Sequence, residues 1–414
     1  MKHLIWAFAI LSSAAPAAPV TVGFDDLPVM IEKRNSRVQG AGLLKESAQA
    51  GQGHLRRSYL PTLSATLGRE SYVTGTQDER ADTYGGLDAR LNLFRGGRDR
   101  WRDEMHEARV KSATAAAEST LRGELKRARG EYWQLVSGRE MTKILEAALE
   151  ENRRNLTAAE RRIRAGAATE TDRIEFEMHQ IELEQDLART RLQSENSQRE
   201  LAVRLGLDDE TEIITSLKVD HDHKDDLLMA NYQPSEHPVV STLAGRAEEA
   251  KFRAMELGLW WSPSLDVYAG YDLHPFRERE YEPEKERYES VLGVRLTVNL
   301  FDGWISRAES QQYRLEAAGL AREAGQTARE VDAQIDNARA ALRLTHELIH
   351  RSEDGLKRAS SYLTRTLDEY RRGVKNSPDV LSASDRNVAM KRRFAELRRD
   401  YQLARSELLE TLGL

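Results

Sequence analysis

His221-Asp222-His223 is the spacing in this chain that comes nearest to a metal-ligand set, two imidazoles flanking a carboxylate. It lies in a stretch rich in Asp, His and Lys, where alternating histidines are more often solvated than coordinated, because a His-rich tract is only a compositional cue. The scattered Ser and His residues form no nucleophile elbow and no zincin pattern. Gly85-Gly86 and Gly96-Gly97 lack the Gly-x-x-x-x-Gly-Lys or Gly-x-Gly-x-x-Gly frame of a phosphate-binding loop. The absence of cysteine removes disulfides, thiolate metal sites, a thiol nucleophile and a lipid-bearing N-terminal cysteine. No catalytic residue, metal or cofactor is therefore expected.

Composition narrows the classes further. The 62 Lys and Arg against 68 Asp and Glu leave a net charge of -6, without the basic excess of a nucleic-acid binder. With 31% charged and 40% hydrophobic residues the chain folds, yet keeps much of its surface wet. Lys2 and His3 precede an apolar run from Leu4 to Leu11, and Ala14 to Ala18 supply small residues for cleavage, so residues 1–18 read as a signal peptide. That run is far short of the ~20 apolar residues a spanning helix needs, and no later stretch approaches it.

The chain repeats itself at an offset of 207. Gly166, Asp172, Ala188, Arg191, Glu200, Leu201, Leu205, Gly206 and Leu207 are matched by Gly373, Asp379, Ala395, Arg398, Glu407, Leu408, Leu412, Gly413 and Leu414. Asn92-Leu93-Phe94-Arg95-Gly96 is matched in the same way by Asn299-Leu300-Phe301-Asp302-Gly303, whereas Pro61-Thr62-Leu63 matches Pro263-Ser264-Leu265 at 202. A period this long means two structural copies rather than a solenoid. The organisation that follows is a first repeat over 19–207, a linker over 208–236, and a second repeat over 237–414.

Within each copy the period of apolar residues changes twice. A helical start (25–57 and 237–259) gives way to period-2 alternation, as in Leu87, Ala89, Leu91, Leu93 and in Leu265, Val267, Ala269, Tyr271, Leu273. Such alternation marks strands with one apolar and one polar face, hence a hairpin at about 62–94 and another at about 263–301. The period then returns to helical. Val331, Ile335, Ala338, Leu342, Thr345, Ile349, Ser352, Leu356, Ala359 and Leu363 form an unbroken coiled-coil seam. Residues 98–165 and 305–372 predict rods of ~100 Å at ~1.5 Å per residue. Each rod stops at a glycine, Gly166 or Gly373, and a second helix returns to Leu207 or Leu414, completing helical hairpins over 98–207 and 305–414. Arg153-Arg154 and Arg161-Arg162, interspersed with Glu, read as a solvated helix face.

Four strands of membrane-spanning length cannot stand alone in lipid, because an open sheet leaves edge N–H and C=O groups without partners. Pooling strands from identical copies closes the sheet. Twelve strands leave a water-filled lumen, which suits a polar face carrying Asp88, Arg90, Asp266, Asp272, Arg295 and Asn299. Trp260, Trp261, Phe301 and Trp304 fall at strand ends, the depth of lipid headgroups.

The twice-repeated order of helix, Pro-x-Leu hairpin, Asn-Leu-Phe-x-Gly exit, long rod, Gly turn followed by Asp (Thr171-Asp172 in the first copy, Pro378-Asp379 in the second), and Leu-Gly-Leu finish resembles the TolC-type outer-membrane efflux family. The resemblance covers residues 25–414. It implies a mainly α fold with a β-barrel contribution: a homotrimer whose 12-stranded barrel continues into a periplasmic α-helical tunnel. Such a trimer works with a periplasmic adaptor (membrane fusion) protein and an inner-membrane transporter, in contact with outer-membrane lipid. By the same resemblance, Thr171, Asp172, Tyr370, Lys375 and Asp379 form a periplasmic gate, with Lys375 where an Arg is usual and Ser382 where a second acidic residue often stands. An Asp172–Lys375 link is expected. Gly166, Ala167, Gly373 and Val374 form the adaptor-contact turns. Asp172 and Asp379 also suit helix N-termini, a common use of Asp. The alternative is a secreted coiled-coil structural or adhesin protein, which the duplicated amphipathic hairpins disfavour.

Overall fold

The computed structural model describes residues 19–73, 79–215, 232–273 and 288–412. The expected signal peptide, most of the linker with His221-Asp222-His223, and the hairpin connections at 74–78 and 274–287 lie outside the described residues. In chain order the elements are β1 (Val20–Val22), α1 (Leu27–Arg34), α2 (Ser36–Ala50), α3 (His54–Ser58), β2 (Thr62–Val73), β3 (Glu79–Phe94), α4 (Arg98–Arg164) and α5 (Glu170–Arg204). They continue with β4 (Ile213–Thr215), α6 (Pro238–Gly258), β5 (Ser264–Leu273), β6 (Tyr288–Thr297), α7 (Ile305–Arg371) and α8 (Ser377–Leu412). Helices dominate, and α4 and α7 are each 67 residues long.

The chain divides into two units that cut across the two sequence copies. One comprises residues 1–42, 118–237 and 329–414, the other 43–117 and 238–328. The first holds the bases of the long helical hairpins. Its largest apolar cluster joins Val22, Leu27 and Ile31 to Tyr132, Trp133, Leu135, Leu201, Leu205 and Ile213. The seam predicted along α7 is realised here: Val331, Ile335, Ala338, Leu342, Ile349, Ser352 and Leu363 are all buried. Strands β1 and β4 form a parallel two-stranded sheet that sequence reasoning did not anticipate.

In the second unit, β2, β3, β5 and β6 form one antiparallel sheet in the order β2-β3-β5-β6. Register fixes the faces, since directly opposed residues share a side of the sheet. Asp88 lies opposite Gly270, Arg90 opposite Tyr268, and Asn92 opposite Asp266. Across the next pair, Asp266 lies opposite Arg295 and Asp272 opposite Glu289. These residues make one face polar. The other carries Leu63, Leu67, Leu87, Leu292, Val294 and Leu296, each more than half exposed. An apolar sheet face left open in this way needs a non-aqueous neighbour.

The repeated Asn-Leu-Phe-x-Gly motif has a structural cause. The Asn92 side-chain amide donates to the Ser58 carbonyl at 3.2 Å, and the Asn299 amide donates to the Trp260 carbonyl at 3.4 Å. Ser58 ends α3 and Trp260 lies in the turn just after α6, each ahead of a hairpin, and they are related by the same 202-residue offset as the Pro-x-Leu starts. Each asparagine thus ties the exit of its hairpin to the entry. Asn299 consequently lies beyond the end of β6 at Thr297, where its amide is used structurally, and not on the polar sheet face where the alternation put it.

Candidate functional site at the helical turns

The ends of α4 and α7 use one device. Gly166 takes φ 70° and Gly373 φ 79°, the left-handed region that a side chain penalises. The Gly166 N–H donates to the Ile163 carbonyl at 2.9 Å, and the Ala167 N–H to the Arg162 carbonyl at 2.8 Å. Gly373 and Val374 repeat the pattern onto Tyr370 and Glu369, at 3.0 and 2.9 Å. Both are Schellman caps, which satisfy carbonyls that a helix end otherwise leaves open. Nothing lies within 4 Å of where a Cβ would stand on either glycine, so backbone conformation alone demands them.

Immediately beyond each cap a carboxylate starts the return helix. Asp172 Oδ2 accepts hydrogen bonds from the Thr169 N–H at 2.8 Å and the Thr169 hydroxyl at 2.9 Å. Its Oδ1 accepts from the Ser377 hydroxyl, which belongs to the first turn of α8. One carboxylate therefore caps α5 and joins it to α8. Burial pushes the Asp172 carboxyl up, but the bonds from Ser377 and Thr169 outweigh it and hold the group below its ordinary range. The expected Asp172–Lys375 pair is not formed within the chain. Lys375 Nζ instead lies 3.5 Å from Asp379 Oδ1, one helical turn along its own segment. Asp379 also accepts from the Asn376 N–H at 3.4 Å, the capping arrangement of Asp172 repeated. Thr171 is exposed in the first turn of α5.

Tyr370 is buried and packs edge-on against Phe176, with ring centroids 6.4 Å apart. Ala159, Phe176, Tyr370 and Val380 form the apolar plug behind the turns. Over the Tyr370 ring, at 4.2 Å from its centroid, lies the guanidinium of Arg162. Its two terminal nitrogens donate to the Tyr370 carbonyl at 3.0 Å and to the Ala167 carbonyl at 3.2 Å. The reading of Arg162 as solvated helix surface thus misses a residue that spans both turns. Ser377 was missed as well. A pairing of these residues across copies would have been needed to find either. A cleft of about 430 Å³ is bounded by Arg162, Asp172, Tyr370, Lys375 and Asp379 together with both glycine turns, so the residues expected at a gate, Thr171 excepted, and those expected at adaptor-contact turns line one surface.

At the sheet, Asp88, Arg90, Asp266, Asp272 and Arg295 occupy the polar face as registered above. The Arg295 guanidinium lies 4.6 Å above the Tyr268 ring, and Asp266 is buried. Among the described residues no group of three or more His, Asp and Glu is placed to hold a metal, and no helix is long and apolar enough to cross a membrane.

Comparison with known proteins places this geometry. The family model described as "Outer membrane efflux protein" matches residues 27–207. Among solved structures, the outer membrane protein VceC from Vibrio cholerae is 15% identical with a TM-score of 0.77, covering 94% of this chain and 96% of that one. The Campylobacter jejuni CmeC outer membrane channel is 14% identical with a TM-score of 0.79, covering 94% and 85%. The open-state Neisseria gonorrhoeae MtrE outer membrane channel is 14% identical with a TM-score of 0.76, covering 94% and 88%. No curated protein matches in sequence. The fold is that of these outer-membrane channels. The family model thus matches the first of the two sequence copies, and the fold of the solved channels is shared along nearly the whole chain.

Proposed function

We propose that three copies of this chain close into a 12-stranded barrel around water and export solutes from the periplasm, working with an inner-membrane transporter and a periplasmic adaptor protein. One observation carries the trimer. The four-stranded sheet ends in β2 on one side and β6 on the other, and its faces are divided into apolar and polar. In lipid each unpaired edge group costs several kcal/mol, which identical neighbours remove by pairing β6 of one copy with β2 of the next. The polar face then lines the lumen. Arg162, Asp172, Tyr370 and Ser377 hold the inner end narrow, with Thr171, Lys375 and Asp379 around them. Gly166, Ala167, Gly373 and Val374 present the turns to the adaptor. Purified protein should migrate as a heat-modifiable trimer in detergent and carry ion current across planar bilayers. A monomer that carries none sinks this reading.

A further inference from the structure

Where the polar face of the sheet meets the first turns of α4, four guanidinium groups converge. Arg90, Arg95, Arg98 and Arg102 line a cleft of about 270 Å³ together with two carboxylates, Asp99 and Asp266. Their positive charge is only partly neutralised. Arg102 is committed to the buried Glu256, its Nε 2.9 Å from Oε1, and Glu256 also holds Arg253. Asp99 already accepts from the Asn92 amide at 2.9 Å and lies 3.5 Å from His54 Nε2, which leaves Arg95 a contact of 3.9 Å. The Arg98 Nε donates to the Arg95 carbonyl at 3.1 Å, and neither Arg98 nor Arg90 has an ion pair among the described residues. Asp266 likewise has no ion pair among them, although it opens on the same cleft.

Guanidinium groups with spare N–H donors, gathered on one concave surface, match the planar or tetrahedral oxygens of carboxylate, sulfate and phosphate. We propose that this cleft is a binding site for small soluble oxyanions, phosphate- or carboxylate-bearing, in transit between helical tunnel and barrel. This rests on the polar face being the lumen wall, which also separates a soluble anion from a lipid headgroup. Threefold repetition would set twelve guanidinium groups around the neck and favour anionic cargo there.

Calorimetric titration of the detergent-solubilised trimer with inorganic pyrophosphate tests it. Saturable binding is expected, and Arg90→Gln combined with Arg98→Gln should weaken it roughly tenfold or more, because two charge-assisted bonds are lost. If the double variant does not form trimers, Arg98→Gln alone is titrated and should still weaken binding. Equal titration of variant and wild type overturns the proposal. So does pyrophosphate binding that persists in phosphatidylcholine nanodiscs but is abolished by phosphatidylglycerol, since that assigns the cleft to a headgroup. In planar bilayers of phosphatidylcholine, the wild-type reversal potential in a KCl gradient should move toward cation preference in the variant. Current without that movement counts against the neck site alone, whereas no wild-type current counts against the pore itself.

Discussion

The guanidinium of Arg162, near the end of one long helix, lies 4.2 Å above the ring of Tyr370 at the end of the other and donates to the Tyr370 carbonyl at 3.0 Å. Stacking and charge-assisted hydrogen bonding thus converge on one side chain. Arg162→Ala removes both, a loss of about 2 to 4 kcal/mol in local closure if the two contributions add. Single-channel conductance should rise in Arg162→Ala and only partly in Arg162→Lys, which keeps the charge without the planar fork. Wild-type conductance in Arg162→Ala would remove this residue from the gate.

Asp172 makes the second connection between the turns, through Ser377. Its folded carboxyl is held below the ordinary range, so the stabilisation is complete above the unfolded pKa and disappears as pH falls through the lower folded value. Channel opening should therefore become easier on acidification in the wild type. Ser377→Ala should raise conductance at neutral pH and flatten that dependence. Conductance traces recorded from neutral to acidic pH decide the matter.

Deeper in the same unit, Arg204 bridges two acidic residues. Its Nη1 lies 2.7 Å from Glu124 Oε2 and its Nε 2.8 Å from Glu131 Oε1, with both carboxylates largely buried. Arg204→Met strands the Glu131 charge and leaves Glu124 with only Arg37 and Arg127, at a cost of about 3 to 5 kcal/mol near neutrality. Burial pushes Glu124 up, but Arg204 and Arg37 hold it below its usual range, so the wild-type bridge contributes above that range and fades in acid. The gap between wild type and variant in denaturant midpoints should accordingly narrow as pH falls. A constant gap would point to lost packing instead.

Trp304 has φ 66°, while its counterpart 207 residues earlier, Gly97, has φ 79°. A bulky residue in this region carries about 1 to 2 kcal/mol of strain. Bonds from the Trp304 and Ser306 N–H groups to Asp302, both 3.0 Å, hold the turn in place. Trp304→Gly should raise the thermal midpoint of the detergent-solubilised protein and Gly97→Trp should lower it. If Trp304→Gly lowers the midpoint, the ring contacts with Phe301 and Arg307 outweigh the strain.

Sequence periodicity revealed the long helices and the amphipathic strands because both patterns persist over many residues. β1 and β4 escaped notice because three residues are too few to show alternation, and their pairing joins residues 20 and 213. The site was legible by type more than by contact. Asp172 and Tyr370 were singled out, but Asp172 takes a hydroxyl from Ser377 rather than the Lys375 ammonium, because Lys375 has Asp379 one turn away. Arg162 looked like any exposed arginine. Its role exists only once α4 and α7 lie side by side.

Asn92 and Asn299 each fasten a hairpin at its base. The connection between β2 and β3 is five residues, 74–78, and that between β5 and β6 is fourteen, 274–287, yet both strand pairs stay in unbroken antiparallel register. Exchanging the two connections should leave trimer mobility unchanged. Pairing between strands, rather than the length of what joins them, therefore sets each hairpin's alignment, so either joining segment can be rewritten without shifting the strands.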